Sequence, residues 1–251
     1  MQTLKQFFSI LVILGGLFFL FGPEVFPENF QIQEILNRAE NKDVVIIFNS
    51  GGWGNTPLEK AKDLAPLIEG IQQTLDEWGY NSVVIPYVRT KDNLLGRITG
   101  AKEFFNYFKN SSEDLANEIE RLAENFPDKK IIIAGLSNGA VFANKTYEKI
   151  SQNIKNSVYV ITVGNPFWGD IPQSDNLLLL DNKGKDTLSA GNVKSLLTTF
   201  IKTPFKWLFA KITGENLKIS EVSHASGHDY PWEASEINSQ IISFLKNKFK
   251  N

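Results

Sequence analysis

From Asn41 onward, short uninterrupted apolar runs alternate with longer stretches in which apolar residues recur at helical spacing. Continuous apolar runs are typical of strands covered on both faces, whereas a half-exposed strand alternates apolar and polar residues. The two patterns together predict an α/β fold with a mostly parallel central sheet flanked by helices. The predicted strands lie at residues 43–49, 82–87, 130–135, 157–163, 176–181 and 217–223.

Five helical patterns separate these runs or follow the last of them. They lie at residues 58–78, 100–125, 139–152, 192–212 and 233–248. The 251 residues are enough for one sizeable α/β domain, which we expect to span residues 43–251. Residues 23–42, with Pro23 and Pro27, are expected to form a spacer between this domain and the amino-terminal segment.

The amino-terminal segment differs from the rest of the chain because residues 6–23 carry no charge. This length lies between the hydrophobic part of a signal peptide and a minimal membrane-spanning helix. No Ala-x-Ala-like cleavage site follows, so we expect residues 1–22 to form a hydrophobic helix that anchors the protein in a membrane, with secretion after signal cleavage as the alternative. Lys5 on one side and acidic residues from Glu24 onward on the other favour a domain on the extracytoplasmic side.

Composition and charge exclude several classes of site. The net charge of -2 lacks the basic excess of nucleic-acid-binding proteins, so we expect no nucleic-acid partner. The chain has no cysteine, which excludes cysteine nucleophiles, and its two histidines are His224 and His228. Gly227 disfavours the helix that a His-x-x-x-His metal site needs, and no dinucleotide or Walker loop is present, so we expect neither a metal nor a cofactor.

The sequence AGLSNGA at residues 134–140 places Ser137 in a Gly-x-Ser-x-Gly pattern. A predicted strand runs into this pattern and a predicted helix leaves it, as in a strand–turn–helix elbow that exposes a nucleophile. Gly135 and Gly139 would let the strand and the helix approach without a side-chain clash. In this feature the chain resembles the α/β-hydrolase superfamily, which includes serine esterases and lipases. The alternative is a serine in an ordinary strand-to-helix turn.

The resemblance implies a catalytic triad in the order serine, acid, histidine, in which the histidine takes the proton of the serine hydroxyl. His228, in GHDYPWE ahead of the last predicted helix, is similar to the Gly-His turn of the family and is preferred to His224 as the base. Asp186, in GKDTL, is similar to the turn that carries the acid in many members, with Asp181 as the alternative. Asp170, after GNPFWG, is a third candidate, although its loop follows the preceding strand and is expected instead to line the site.

The resemblance also implies two backbone N–H donors for the oxyanion of the reaction, one after the nucleophile and one in the loop after the first strand. The first donor would be Asn138. The loop FNSGGWGN is similar to the His-Gly-Gly-Gly-Trp loop of esterases, although Asn49 replaces the histidine and Ser50 the first glycine. Gly51 and Gly52 are the candidate donors in this loop. Glycines that only permit a tight turn are the alternative.

Residues 192–212 lie between the expected acid and the expected histidine and combine apolar residues with lysines but no acid. They are interpreted either as a crossover helix on the sheet or as an apolar flap over an acyl-binding site. The second interpretation implies a small-molecule or lipid ester as substrate.

The function implied by the resemblance is a serine hydrolase that cleaves carboxylic esters through a Ser137–His228–Asp186 triad and an acyl-enzyme. Thioesterase or peptidase activity on the same fold is one alternative. A non-catalytic binding protein that keeps the fold is another.

Overall fold

The computed structural model describes residues 30–91, 94–192, 213 and 227–250. Within these ranges five strands form one sheet: β1 (Val44–Asn49), β2 (Ser82–Pro86), β3 (Lys130–Leu136), β4 (Val158–Val163) and β5 (Leu177–Leu180). Their order is β2-β1-β3-β4-β5, and each neighbouring pair is parallel. This confirms the predicted α/β fold with a parallel central sheet. The sixth predicted strand, at residues 217–223, lies outside the described residues.

Helices flank the sheet, as the sequence predicts. In the described residues they are α1 (Phe30–Ala39), α2 (Ala65–Glu77), α3 (Leu94–Phe105), α4 (Lys109–Asn125), α5 (Asn138–Lys149) and α6 (Ser235–Phe249). Short 3₁₀ turns lie at Leu58–Lys60, Lys155–Ser157 and Asn182–Gly184.

Two helical predictions differ from the structure in their bounds. The pattern at residues 58–78 predicts one helix, but α2 begins later, with Pro66 in its first turn, because proline lacks the N–H that an upstream helical turn would need. The pattern at residues 100–125 belongs to two helices. They are separated where Tyr107 and Phe108 adopt positive φ values of 51° and 55°. This turn buries the side chain of Phe108 in the core.

The two faces of the sheet are covered by different helices, because successive side chains of a strand point to opposite faces. On one face, Val45 and Ile133 pack with apolar residues of α1, α4 and α5. On the other face, Ile46 and Ile132 pack with apolar residues of α2 and α6. Every residue of β1 and β4 is buried, which explains why these strands are continuous apolar runs in the sequence.

Helix α1 lies in the stretch of residues 23–42 that was expected to be a spacer. Ile35 and Ala39 are buried against one face of the sheet. The guanidinium Nη2 of Arg38 donates to the carbonyl oxygen of Val84 in β2 at 2.8 Å. An apolar stripe at helical spacing gains burial by packing on the sheet, so this part of the chain forms a helix instead of a linker.

Two further predictions lie outside the described residues. These are the amino-terminal hydrophobic helix at residues 1–22 and all but the first residue of the pattern at residues 192–212. Within the described part of the chain, no helix combines the length and the apolar character needed to cross a bilayer.

The parallel arrangement brings the carboxyl ends of all five strands to one edge of the sheet. The segments that leave β1, β3 and β4 begin there with Ser50, Ser137 and Gly164, and the loop after β5 leads to Asp186. Ligands of open parallel sheets bind at this edge. The fold therefore brings the serine turn, the glycine loop after β1 and the loop that leads to Asp186 to the same edge of the sheet.

We expect Ile35→Ala to lower the free energy of unfolding by about 2–5 kcal/mol, because truncation of this 2% exposed side chain leaves a cavity between α1 and the sheet. Urea unfolding measures the change. The control is Asn37→Ala on the exposed face of the same helix, for which we expect a change below about 0.5 kcal/mol. An Ile35→Ala protein as stable as the parent would show that α1 does not belong to the folded core.

Candidate active site

Ser137 occupies a strained turn between β3 and α5. Its backbone has φ 55° and ψ -122°, a conformation that residues with a Cβ adopt rarely. Such strain costs about 1–3 kcal/mol and persists only where the surrounding structure enforces it. Here the N–H of Ser137 donates to the carbonyl oxygen of Val163 in β4 at 2.9 Å. The turn therefore presents a partly exposed serine at the carboxyl edge of the sheet.

Gly135 and Gly139 allow this turn because no side chain fits at either position. A Cβ on Gly135 would collide with the carbonyl oxygen of Gly139. A Cβ on Gly139 would collide with the carbonyl oxygen of Asn49 at the end of β1. The close approach of strand, turn and helix thus requires glycine two residues before and two residues after the serine.

The loop after β1 lies against the serine turn. A Cβ on Gly51 would be 3.6 Å from the Cβ of Ser137, and the side-chain amide of Asn138 donates to the carbonyl oxygen of Gly52 at 3.4 Å. The backbone N–H groups of Gly51 and Gly52 donate to no acceptor within the described residues. Such donors beside a serine can bind the negative oxygen of a tetrahedral intermediate. The structure thus places Gly51 against Ser137 and Gly52 against Asn138, the residue that follows the serine.

Asn49, which stands where the esterase loop has a histidine, is fully buried. Its Nδ2 donates to the carbonyl oxygens of Ile47 at 3.3 Å and Ala134 at 3.2 Å. These contacts tie the end of β1 to β3 and so anchor the root of the loop that carries Gly51 and Gly52.

Asp186 and His228 form a buried hydrogen-bonded pair. The Nδ1 atom of His228 lies 2.7 Å from Oδ2 of Asp186, whose side chain is fully buried. The segments that carry them are joined, because the side-chain amide of Asn182 donates to the carbonyl oxygen of Gly227 at 3.0 Å. His224, the alternative base, lies outside the described residues.

The carboxylate of Asp186 accepts several hydrogen bonds. Its Oδ1 accepts from the backbone N–H groups of Leu188 and Ser189 at 2.8 and 3.2 Å. Its Oδ2 accepts from the hydroxyls of Ser189 and Tyr230 at 3.1 and 2.6 Å. Burial by itself would raise the pKa of Asp186, but the hydrogen bonds from His228 and Tyr230 outweigh it and lower this pKa to about 2. Asp186 is therefore ionised at neutral pH.

The ionised state of Asp186 determines which ring nitrogen of His228 carries the proton. A carboxylate has only acceptors, so Nδ1 of His228 must be the donor in this pair. In the neutral imidazole, Nε2 is then unprotonated and basic. This is the tautomer in which a histidine can take a proton from a hydroxyl group. The pair can therefore act as an oriented general base.

Ser137 and the Asp186–His228 pair adjoin the same stretch of backbone at the end of β4. Ser137 donates to the carbonyl oxygen of Val163, and the next residue, Gly164, lies against the pair. A Cβ on Gly164 would be 2.8 Å from Nδ1 of His228 and 3.0 Å from Oδ2 of Asp186. A serine, an oriented histidine and a buried carboxylate in this arrangement can carry out nucleophilic acyl transfer.

The other two acids considered in the sequence have different partners. Asp181 accepts from the backbone N–H of Lys183 at 3.0 Å and so caps the 3₁₀ turn that follows β5. Asp170, the third candidate acid, is exposed and forms an ion pair of 2.8 Å with Lys145 of α5. Lys145 therefore binds this carboxylate at the surface. Of these three described acids, Asp186 is the one that contacts a histidine.

Sequence reasoning missed two residues beside the site, Tyr230 and Arg89. Tyr230 donates its hydroxyl to the same carboxylate oxygen that His228 contacts. An aromatic hydroxyl two residues after the expected histidine, in GHDYPWE, was a usable sign of this contact. Arg89 follows β2, and its Nη2 donates to the carbonyl oxygen of Ser50 at 2.7 Å. A single arginine in the loop after a buried strand was the corresponding sign.

We expect Tyr230→Phe to lower stability in a pH-dependent way. The variant loses a hydrogen bond to a charged acceptor, worth about 1.5–3 kcal/mol, and the pKa of Asp186 rises toward its ordinary value. The folded-state pKa of Asp186 lies below its unfolded value, so the stability it contributes is complete above about pH 4 and is lost as the pH falls through about 2. Urea unfolding at a series of pH values should therefore show a deficit that is largest above about pH 4 and shrinks toward pH 2.

The matched control for this variant is Tyr159→Phe. The hydroxyl of Tyr159 donates to the backbone carbonyl of Asn156 at 3.1 Å, an acceptor that does not titrate. The loss of stability in Tyr159→Phe should be independent of pH over the same range. A Tyr230→Phe deficit that is equally constant would contradict the link between this hydroxyl and the charge of Asp186.

Comparisons with known proteins find one family and one similar solved structure. The sequence model of the family described as Lipase (class 3) matches residues 68–185. Among solved structures, the fold is similar to that of a Trichoderma reesei cutinase in complex with a C11Y4 phosphonate inhibitor, with 16% sequence identity and a TM-score of 0.48. The likeness covers 73% of this chain and 86% of the cutinase chain. No curated protein matches the sequence significantly.

The region matched by the family model runs from within α2 to the residue before Asp186 and contains the whole serine turn. It also contains the strands that build this turn, β3 and β4. Over this segment the chain is similar to the Lipase (class 3) family, which supports a serine hydrolase of the esterase and lipase type.

Proposed function

We propose that the enzyme cleaves its ester through a Ser137–His228–Asp186 triad and a covalent acyl-enzyme. The observation that carries this proposal is the end of β4, where the strained serine turn and the buried acid–histidine pair adjoin. A serine hydroxyl is a poor nucleophile until a base takes its proton. In the proposed triad, His228 is that base, and its hydrogen bond to Asp186 leaves Nε2 unprotonated.

The first half of the reaction transfers the acyl group to the enzyme. As Oγ of Ser137 attacks the ester carbonyl carbon, Nε2 of His228 accepts the hydroxyl proton. Asp186 stays ionised and stabilises the imidazolium that forms. The tetrahedral intermediate then breaks its bond to the leaving oxygen, which takes the proton from His228 and departs as an alcohol.

The second half of the reaction returns the enzyme to its starting state. His228 removes a proton from a water molecule as that water attacks the acyl-enzyme. The second tetrahedral intermediate then breaks its bond to Oγ of Ser137, which takes the proton back from His228, and the carboxylic acid is released. In both halves the N–H groups of Gly51, Gly52 and Asn138 stabilise the negative carbonyl oxygen.

Exposed apolar side chains at the carboxyl edge favour an apolar ester as substrate. Trp53 follows β1, Val88 follows β2, and Phe167 and Ile171 follow β4, and each is between 41% and 51% exposed. The N–H of Phe167 donates to the carbonyl oxygen of Leu188 at 3.1 Å, which places this loop beside the loop of the acid. Apolar residues around a site favour an apolar ligand. We infer a small-molecule or lipid ester with an apolar acyl group.

We expect Ser137→Ala to lower kcat on p-nitrophenyl butyrate at least about 10³-fold, because the nucleophile is lost. Labelling by a fluorophosphonate probe should be abolished as well. The control is Ser239→Ala on the exposed face of α6, which should be labelled like the parent. A Ser137→Ala protein that is folded and still labelled as strongly as the parent would contradict the assignment of the nucleophile.

The same assay assigns the base. His228→Ala should lose hydrolysis to a similar degree, whereas His224→Ala should keep it. The reverse result would transfer the role of the base to His224.

We further propose that residues 1–22 anchor the enzyme in a membrane, with the hydrolase domain on the extracytoplasmic side. The uncharged run at residues 6–23 and the position of Lys5 ahead of it support this proposal. We expect the full chain to sediment with membranes and to be released by detergent but not by alkaline carbonate. A chain that starts at residue 23 should stay in the supernatant. A soluble mature form that begins after Gly22 would instead show signal cleavage and secretion.

A further inference from the structure

Arg89 is a buried charged residue that the proposed reaction does not use. Its side chain lies behind the loop that carries Gly51 and Gly52 and is 5% exposed. Burial lowers its pKa to about 10, so the guanidinium remains charged at neutral pH. A buried charge costs stability unless its contacts compensate, so the contacts of Arg89 indicate what it does.

Aromatic rings hold the guanidinium in one orientation. Its Cζ lies 4.9 Å from the ring centroid of Phe108 and 5.1 Å from that of Phe142. The buried carboxyl group of Glu103 adds an electrostatic attraction. A planar cation that is stacked in this way presents its N–H groups in fixed directions.

Arg89 binds the loop after β1 at both of its ends. The side-chain Nη2 donates to the carbonyl oxygen of Ser50 at 2.7 Å, and the backbone N–H donates to that of Gly54 at 2.8 Å. Gly54 has a φ of 74°, and a Cβ there would be 2.6 Å from Cζ of Arg89. The loop therefore packs directly on the guanidinium.

The carbonyl oxygens between these two ends are also bound. That of Gly51 accepts from the N–H of Gly54 at 3.1 Å, and that of Gly52 accepts from the side chain of Asn138 at 3.4 Å. That of Trp53 accepts from the hydroxyl of Thr90 at 2.8 Å. Each carbonyl oxygen from residue 50 to residue 54 thus has a hydrogen-bond donor.

Because the peptide bond is planar, the hydrogen bonds that fix these carbonyl oxygens also fix the directions of the N–H groups that follow them. In a trans peptide, the carbonyl of one residue and the N–H of the next lie in one plane and point in opposite directions. The carbonyl of Ser50 shares its peptide plane with the N–H of Gly51. Because Arg89 fixes the first of these two groups, it also fixes the direction of the second.

We propose that Arg89 is a positioning residue for ester hydrolysis, which aims the N–H of Gly51 at the oxyanion by holding the carbonyl oxygen of Ser50. This inference rests on the proposed function. An oxyanion forms in the transition state and not in the bound ester, so Arg89 acts on kcat and leaves KM nearly unchanged.

Arg89→Met tests the proposal, because methionine keeps apolar contact with the rings but has no N–H donor. We expect kcat on p-nitrophenyl butyrate to fall about 10–100-fold with KM within about twofold, since misaiming a donor costs at most what its removal costs. The affinity for an alkyl trifluoromethyl ketone, which forms a tetrahedral adduct with the serine, should fall by the same factor. Arg89→Lys keeps one charged donor and should show a loss of about 3–10-fold in kcat.

The matched control is Arg38→Met. Arg38 also donates Nη2 to a backbone carbonyl, that of Val84 at 2.8 Å, but this carbonyl lies in the middle of β2 and not in the loop. Its kcat should stay within about twofold of the parent. A folded Arg89→Met enzyme with parental kcat and ketone affinity would overturn the proposal, and so would a rise in KM at unchanged kcat. If Arg89→Met does not fold, Arg89→Lys decides, because parental kcat and ketone affinity in that variant overturn the proposal.

Ser137→Ala separates this inference from the proposed function. If Ser137→Ala still hydrolyses the ester, the proposed function fails and the ketone no longer reports on this loop. If Ser137→Ala is inactive while Arg89→Met behaves like the parent, only the role of Arg89 fails.

Discussion

The site depends on the strained backbone of Ser137, because a serine in this conformation exists only where its surroundings enforce it. Three neighbouring strands supply the enforcement. β3 leads into the turn, β4 accepts its N–H through Val163, and the end of β1 packs so closely that Gly139 has no room for a side chain. The register of these strands is set by the buried core on both faces of the sheet. The position of the serine is thus a consequence of how the whole sheet packs.

The site also depends on the charge of Asp186. Asp186 has no contact with solvent, and it stays charged because N–H and O–H donors surround its two oxygens. The charge in turn selects the tautomer of His228. In the loop after β1, each carbonyl oxygen from residue 50 to residue 54 accepts a hydrogen bond. The N–H groups of Gly51 and Gly52 donate to no acceptor in the described part of the chain. In the proposed reaction, both the base and the oxyanion donors are therefore oriented before any substrate binds.

Much of the fold could be predicted from the sequence, because strands buried on both faces leave continuous apolar runs. The turn at Ser137 could also be predicted, since a turn this tight excludes any side chain at Gly135 and Gly139. The pairing of Asp186 with His228 followed from the resemblance to a superfamily and not from spacing, and the structure places these two residues in contact. The strands and the glycines could be predicted from the sequence alone because each is a local requirement.

The features that could not be predicted depend on distant parts of the chain. Tyr107 and Phe108 interrupt a helical pattern because the core takes up the ring of Phe108, which local propensity does not reveal. Asp170 forms an ion pair with Lys145 of the adjacent helix, a contact between residues 25 positions apart in the chain. Arg89 gains its role only when the ends of β1 and β2 lie side by side. Such contacts are properties of the assembled sheet.

The order of the segments that surround Asp186 has a consequence for the synthesis of the enzyme. The serine turn and the loop after β1 are made early, but the histidine and tyrosine that bind Asp186 come from the last described segment, directly ahead of α6. Chains are made from the amino terminus, and their earlier parts fold first. A ribosome-bound chain can therefore carry a formed serine turn while Asp186 still lacks the two side chains that bind it. The hydrogen bonds that keep Asp186 charged form only after residues 228–230 have been made and α6 has packed on the sheet.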